Sequence, residues 1–281
     1  MSMDEVKVVV DAMGGDDAPG VVLEGVGQAV AQDPSLTVIL TGPEDVIVPF
    51  AAQHGNVIAH PTTEVIGMGE HPAEAVRRKK DSSIVVGCQL VKDGEAGGFF
   101  SAGSTGACMS AATLVIGRIK GVKRPAIATV LPSPVAKVVF ADMGANADCR
   151  PEMLCQFGVM ASVYMENVAG RKKPKIGLLN IGTEDTKGGE LQKAAYNLMK
   201  EAPINFVGNI ESREMPKGVC DAVITDGFTG NIALKLIEGT VSTLFGLIKQ
   251  VFYKNLKNKL AALTVKSDLG SLKSMMDSSE V

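Results

Sequence analysis

Val6-Lys7-Val8-Val9-Val10-Asp11-Ala12-Met13-Gly14-Gly15-Asp16-Asp17-Ala18-Pro19-Gly20 runs from a short apolar stretch straight into paired glycines flanked by carboxylates. Val6, Val8, Val9 and Val10 are β-branched and nearly continuous, the pattern of a strand buried on both faces of a parallel sheet, so this strand is expected to lie centrally. Gly14 and Gly15 remove the Cβ atoms beyond its carboxyl end, freeing the backbone to adopt positive φ and to let an anion or another segment approach. Ligands of open α/β sheets bind past the carboxyl ends of the strands. A tight turn would need the same glycines. Asp11, Asp16 and Asp17 weigh against a turn alone, because three acids at one strand end repel unless they cap a helix, hold a cation or enter the chemistry.

Outward from this strand, strand-like segments recur at 36–40, 56–59, 97–101, 126–131, 137–142, 175–180, 204–208 and 221–225, with helix-length stretches between most of them. That alternation predicts an α/β fold, a three-layer αβα arrangement with helices on both faces of a mainly parallel sheet. Segments 126–131 and 137–142 are separated only by Pro132-Ser133-Pro134-Val135-Ala136, too short for a crossover, so they are expected to form an antiparallel hairpin and make the sheet mixed. A chain of 281 residues can hold one large α/β domain or two small lobes. No internal repeat or low-complexity stretch divides it, and Arg171-Lys172-Lys173-Pro174 reads as the end of a helix, so a single domain over 1–281 is expected.

Composition narrows the function classes. Hydrophobic residues make up 46% of the chain, enough for a real core, and a net charge of -3 leaves no electrostatic footprint for nucleic acid. The start, Met1-Ser2-Met3-Asp4-Glu5, carries no apolar targeting stretch, and no run reaches the roughly 18 apolar residues that span a bilayer, so a cytoplasmic location is expected. Five cysteines without Cys-x-x-Cys spacing and three scattered histidines suggest neither a disulfide frame nor a metal site.

One device repeats along the chain: strand, glycine-bearing loop, helix. After the opening example it recurs at Ser101-Ala102-Gly103-Ser104-Thr105-Gly106, at Asp142-Met143-Gly144-Ala145-Asn146, at Asn180-Ile181-Gly182-Thr183-Glu184-Asp185-Thr186-Lys187-Gly188-Gly189, and at Asp226-Gly227-Phe228-Thr229-Gly230-Asn231. Helix N-termini offer unpaired N–H groups and a positive dipole end, so several such loops at one sheet edge would make a phosphate cradle, although each alone is also an ordinary helix cap. No loop matches Gly-x-x-x-x-Gly-Lys-Ser/Thr, and no Gly-x-Gly-x-x-Gly follows the first strand. Nucleotides are therefore not indicated, and no cofactor is expected. Arg77, Arg78, Lys79 and Lys80 step round a helix beginning at Pro72; one or two face an anion, or the row is a solvated face in which Glu74 pairs with Arg77 or Arg78. Finally, 237–263 carries Ile237, Val241, Leu244, Phe245, Ile248, Phe252, Leu256, Leu260 and Leu263 at helical spacing among lysines, a long amphipathic surface that packs in a core, in a dimer or on a membrane.

Taken together, these loops resemble those of the PlsX-type phosphate acyltransferases, the fatty acid/phospholipid synthesis proteins of bacteria. The blocks that carry the resemblance are Val10-Asp11-Ala12-Met13-Gly14-Gly15-Asp16 with Ala18-Pro19, Pro72-Ala73-Glu74-Ala75 with Arg78-Lys79-Lys80-Asp81-Ser82-Ser83, Ser101-Ala102-Gly103 with Thr105-Gly106, Asp142 with Gly144-Ala145-Asn146 and Asp148-Cys149, Leu179-Asn180-Ile181-Gly182 with Lys187-Gly188, and 226–231. The resemblance implies conversion of acyl-acyl-carrier-protein and inorganic phosphate into acyl phosphate and free carrier protein. It also implies a homodimer, peripheral membrane contact, here through 237–263, and a fold similar to the phosphotransacetylase and isopropylmalate dehydrogenase group. Ser104 stands where the family usually has Asn. Family members are expected to continue beyond the equivalent of Val281 with a glycine-rich stretch and a strand ending in His-Gly-Ser-Ser.

In that chemistry phosphate is already anionic, so binding and charge placement dominate over general-base help. Lys187 is the expected catalytic cation, since it lies in a glycine loop rather than on a helix face, with Asn180 beside it. Asp11, Gly14, Gly15, Ser101, Gly103, Ser104, Thr105, Gly106, Asn146, Gly182, Thr183, Asp226, Thr229, Gly230 and Asn231 are the expected substrate-binding positions, gathered into one pocket. Three alternatives stay open: an acyl relay through Cys149, a non-catalytic membrane-edge scaffold for carrier protein and a downstream acyltransferase, and a dehydrogenase using Asp11, Asp16 and Asp17 around a metal.

Overall fold

The computed structural model describes residues 6–131 and 137–276. Met1–Glu5 and the segment Pro132–Ala136, both read above, lie outside the described residues. All nine expected strands are present, but they do not form one sheet. The chain divides into two compact units, Met1–Lys120 and Gly121–Val281, each with its own sheet.

In the first unit β1 (Val6–Asp11) pairs with β2 (Leu36–Gly42) and β4 (Gly98–Phe100), and β3 (Val57–Pro61) lies outside β2, giving the all-parallel order β3-β2-β1-β4. The valine run is central for the reason the sequence suggests: successive side chains enter different cores. Val10 packs with Val26 and Val30 of α1 (Gly20–Gln32) and Ile47 of α2 (Glu44–Ala51), whereas Val9 packs with Ile39 and Ala96 on the opposite face. That second face is covered by α4 (Ser83–Lys92), whose Gly87 has no room for a Cβ against the Phe99 ring. Helices α3 (Pro72–Arg78) and α5 (Thr105–Ala111) complete a further cluster through Val76, Ile84, Cys88 and Ala107. Because β2 and β3 extend one way from β1 and β4 the other, the strand order reverses between β1 and β4, where open sheets place their ligand crevice.

In the second unit β5 (Ala128–Leu131) is antiparallel to β6 (Val138–Ala141), the expected hairpin pairing. The other pairings are parallel, in the order β5-β6-β9-β7-β8, with β7 (Lys175–Asn180), β8 (Asn205–Glu211) and β9 (Ala222–Ile224). Helices α6 (Pro151–Asn167) and α7 (Glu190–Glu201) cover one face through Leu154, Phe157, Ala195 and Met199. The other face buries Val138, Phe140, Ile210 and Val223 against Met215 and the start of α8 (Gly227–Tyr253). Each sheet thus lies between helical layers, as the αβα reading expects.

The amphipathic region 237–263 is not one helix. Helix α8 begins ten residues earlier, at the Asp226 cap, and the path breaks at Lys254–Asn255 before α9 (Leu256–Met276), which packs back against α8. Ile237, Val241, Phe245, Ile248 and Phe252 are half-buried, while Leu236, Leu244, Leu247 and Val251 form a second, exposed row. Contrary to the expectation that no run is apolar enough, α8 is long and apolar enough to cross a membrane by length and composition. Counting consecutive apolar residues overlooks it because Gly, Ser and Thr, together with Lys235, Glu238 and Lys249, interrupt the run.

Candidate active site

In the first unit the crevice between β1 and β4 is built round a buried carboxylate. Asp11 is 2% exposed; its Oδ1 accepts from the Met13 N–H at 3.0 Å and its Oδ2 from the Ser101 hydroxyl at 2.7 Å. The Ser101 Oγ in turn accepts from the Gly103 N–H at 3.0 Å. A Cβ on Gly14 would lie 2.6 Å from Ser101 Oγ and 2.7 Å from Gly103 N, so only glycine lets the two loops close. Gly15 adopts φ +106°, a conformation L side chains disfavour. Ser104 caps α5 by accepting from the Ala107 N–H, Gly106 abuts Pro72 at the start of α3, and the Thr105 side chain is exposed. Asp16 and Asp17 are exposed, unlike Asp11, so the three acids do not converge; no group of three or more His, Cys, Asp or Glu suited to one metal ion occurs among the described residues.

The cation row on α3 is held differently from the expectation. Glu70, not Glu74, is the partner: it pairs with Lys79 at 2.6 Å and with Arg78 at 3.4 Å. Those contacts, the Lys79 hydrogen bond foremost, hold the Glu70 carboxyl below its usual range. Lys80 turns back to the Val76 carbonyl. Most of the row is therefore engaged within the fold.

In the second unit three glycine loops leave adjacent strands. Ile224 of β9 is flanked by Ala141 of β6 and Leu178 of β7, so the loops after all three strands emerge at one sheet edge. Asp142 is fully buried, and its carboxylate accepts from the N–H groups of Ile127, Ala145 and Asn146 and from the Asn146 side-chain amide. The same amide donates to the Pro125 carbonyl, so Asn146 enters the site as scaffold. Its backbone carbonyl receives the Gly227 N–H at 2.8 Å, and a Cβ on Gly227 would lie 2.7 Å from it. A Cβ on Gly230 would collide with the Asp142 carbonyl oxygen. The loops after β6 and β9 are thus interlocked through glycine. Asp226 caps α8, accepting from the N–H and hydroxyl of Thr229, and Asn231 lies exposed beside Gly144.

The third loop carries the lysine. Asn180 accepts from the Ile181 N–H and donates to the Lys187 carbonyl at 3.1 Å, while the Lys187 N–H donates to the Glu184 carbonyl. Gly182 is buried beneath the Lys187 stem, with its Cβ position 3.1 Å from Lys187 Cγ, and Gly188 takes φ +88° against Asn180. Thr183 and Lys187 are exposed, and Lys187 has no ion pair among the described residues. The structure therefore joins Gly14 with Gly103 in one unit and aligns the Gly182 and Gly230 loops at one edge in the other.

Cys149 lies in this second cluster but is not activated. Burial pushes its thiol up to about 11, with Asp142 and Asp226 adding repulsion, and the S–H donates to the Asn146 carbonyl. A relay needs a thiolate, so the acyl-cysteine alternative loses its physical basis. Asn209 is the residue the sequence reading missed: it is 5% exposed on β8 and donates to the Glu184 carbonyl at 2.8 Å. No motif marks it.

A sequence model of the family described as Fatty acid synthesis protein matches residues 6–281. A phosphate acyltransferase of Lysinibacillus sphaericus (strain C3-41) is 47% identical over 275 residues, spanning 98% of this chain and 83% of that protein. One from Desulfitobacterium hafniense (strain DSM 10664 / DCB-2) is 49% identical over 279 residues with the same shares. Among solved structures, the EutD phosphotransacetylase of Staphylococcus aureus superposes with a TM-score of 0.61 at 20% identity, covering 84% of this chain and 82% of its own. That last likeness speaks to the fold.

Proposed function

Because the chain belongs to the fatty acid synthesis protein family, the PlsX-type phosphate acyltransferases, we propose that it transfers an acyl group from an acyl carrier protein thioester to inorganic phosphate. A phosphate oxygen attacks the thioester carbonyl, the tetrahedral oxyanion collapses, the C–S bond breaks, and acyl phosphate and carrier thiol leave. Phosphate supplies its own negative charge as nucleophile, so the protein's task is to hold two anionic species close and to offset the developing oxyanion. The observation that carries the reading is the Lys187 ammonium, without an ion pair among the described residues and borne on a loop fixed by Asn180 and underlain by Gly182. In this reading Lys187 supplies charge, Thr183 supplies an exposed hydroxyl donor, and Asn180, Asn146 and Asp226 hold the loops of the second unit in place.

The exposed apolar row Leu236, Leu244, Leu247 and Val251 supports two further parts of the proposal, self-association and contact with a membrane surface from the cytoplasm. It equally suits a scaffold without catalysis, and the two readings separate in one assay. Acyl carrier thioester is mixed with the chain, and free thiol is followed with phosphate, without phosphate, and with a nicotinamide cofactor in its place. The acyltransferase reading expects thiol release only with phosphate. Vesicle binding without phosphate-dependent release would install the scaffold.

A further inference from the structure

We propose that Asn209, which lies outside every loop read from the sequence, is a positioning residue for Lys187; the inference rests on the assignment of Lys187 as the phosphate-binding cation. Three observations carry it. The first is connectivity. The Glu184 carbonyl accepts both from the Asn209 side-chain amide at 2.8 Å and from the Lys187 N–H at 3.1 Å, while Asn180 holds the Lys187 carbonyl at 3.1 Å. Lys187 is thus held at its carbonyl directly by Asn180 and at its N–H through the Glu184 carbonyl that Asn209 fixes, and the amide orientation of Asn209 follows from its carbonyl partner.

The second is the path of β8. The β7–β8 register slips between Ile176 and Gly177: Ile176 faces Phe206 but Gly177 faces Gly208, leaving Val207 as the extra residue, and Gly208 takes φ +93°. In a regular strand residues 206 and 210 would share a face. Here Phe206 packs into the α6/α7 core and Ile210 into the opposite one. The bulge reverses the alternation and turns Asn209 to the face from which the Lys187 loop leads into α7. Bulges that re-aim a side chain are found beside active sites.

The third is cost. Asn209 Oδ1 is buried and has no hydrogen-bond partner among the described residues. A buried polar atom left unpaired is unfavourable, and an apolar residue of similar size would remove the penalty. Retaining an amide here is poorly explained by stability and well explained by the single hydrogen bond its nitrogen makes to the lysine loop.

The test measures equilibrium binding of inorganic phosphate, phosphate-dependent thiol release and thermal midpoint for the full chain and for N209L, N209A, K187A and the double variant K187A/N209A. The expected pattern is an N209L midpoint equal to or above the parent's, phosphate binding about tenfold weaker in both Asn209 variants, as for a displaced charged anchor, and no further weakening when N209A is added to K187A, because a residue acting through Lys187 has nothing left to position. If K187A binds phosphate like the parent, the Lys187 assignment falls and takes this inference with it. If K187A is impaired but the Asn209 variants bind normally, or the losses add in the double variant, only the positioning role is overturned. Unfolding of both N209L and N209A also overturns it, since it would make Asn209 a stability residue.

Discussion

The two loop clusters use the same materials to opposite ends. In the first unit a buried carboxylate, Asp11, sits at the centre, and Ser101 and the Gly103 N–H are occupied within the cluster. In the second unit Asp142 is buried and saturated in the same manner, yet an adjoining loop presents Lys187 to solvent without an ion pair among the described residues. A glycine loop beside an acid is therefore not of itself an anion site: what matters is whether its donors are taken. The first cluster is chiefly architecture, and the second adds an available charge.

Substitutions can break that contrast. The largest effect is expected for Gly230→Ala, whose methyl would enter the space of the Asp142 carbonyl. It should cost about 3 kcal/mol in urea unfolding and abolish turnover; a parent-like unfolding midpoint would show that the two loops part easily. Next comes Lys187→Ala. It should lower phosphate-dependent thiol release by about 10²-fold while leaving stability within about 0.5 kcal/mol, because the side chain is exposed. Unchanged turnover removes the lysine from the mechanism. Ser101→Ala should show the reverse balance, about 2 kcal/mol of stability lost as Asp11 is stripped of a partner, with a smaller loss of rate. If Ser101→Ala proves the more damaging to catalysis, the assignment of roles to the two clusters is inverted.

Smaller effects sharpen the picture. Burial pushes Cys88 and Cys220 up to about 12 and Cys149 up to about 11, from an ordinary 9.0. Above about pH 9 the unfolded chain releases these protons while the native state keeps them, so their contribution to stability is full below that pH and falls as pH rises toward 11 to 12. Unfolding midpoints at about pH 8 and about pH 10.5 should differ accordingly, and a flat profile would mean the thiols are wetter than the structure shows. Cys149→Ser should leave turnover nearly unchanged, and a large loss would restore the relay.

Much of the fold was legible because its signals are local. Val8, Val9 and Val10 announce a doubly buried strand, and six residues between β5 and β6 leave no room for a crossover. The division into two sheets was not legible, since strand-like segments report their own burial and not their neighbours. The break at Lys254–Asn255 was hidden because the apolar spacing continues across it into Leu256 and Leu260. In the site, glycines marked the loops correctly, but partners distant in sequence did not show: Glu70 reaches Lys79 nine residues on, and Asn209 reaches Glu184 across 25. A single asparagine in a strand looks like an interruption until the bulge beside it reveals where it points.

The outer row of α8 has a practical side. Leu236, Leu244, Leu247 and Val251 wet four aliphatic side chains over about four helical turns, an unfavourable arrangement in plain buffer that excluded salts such as ammonium sulfate make worse. A preparation of this protein should therefore cling to phenyl resin at modest ammonium sulfate, come off late, and run cleaner when a mild detergent shields that row.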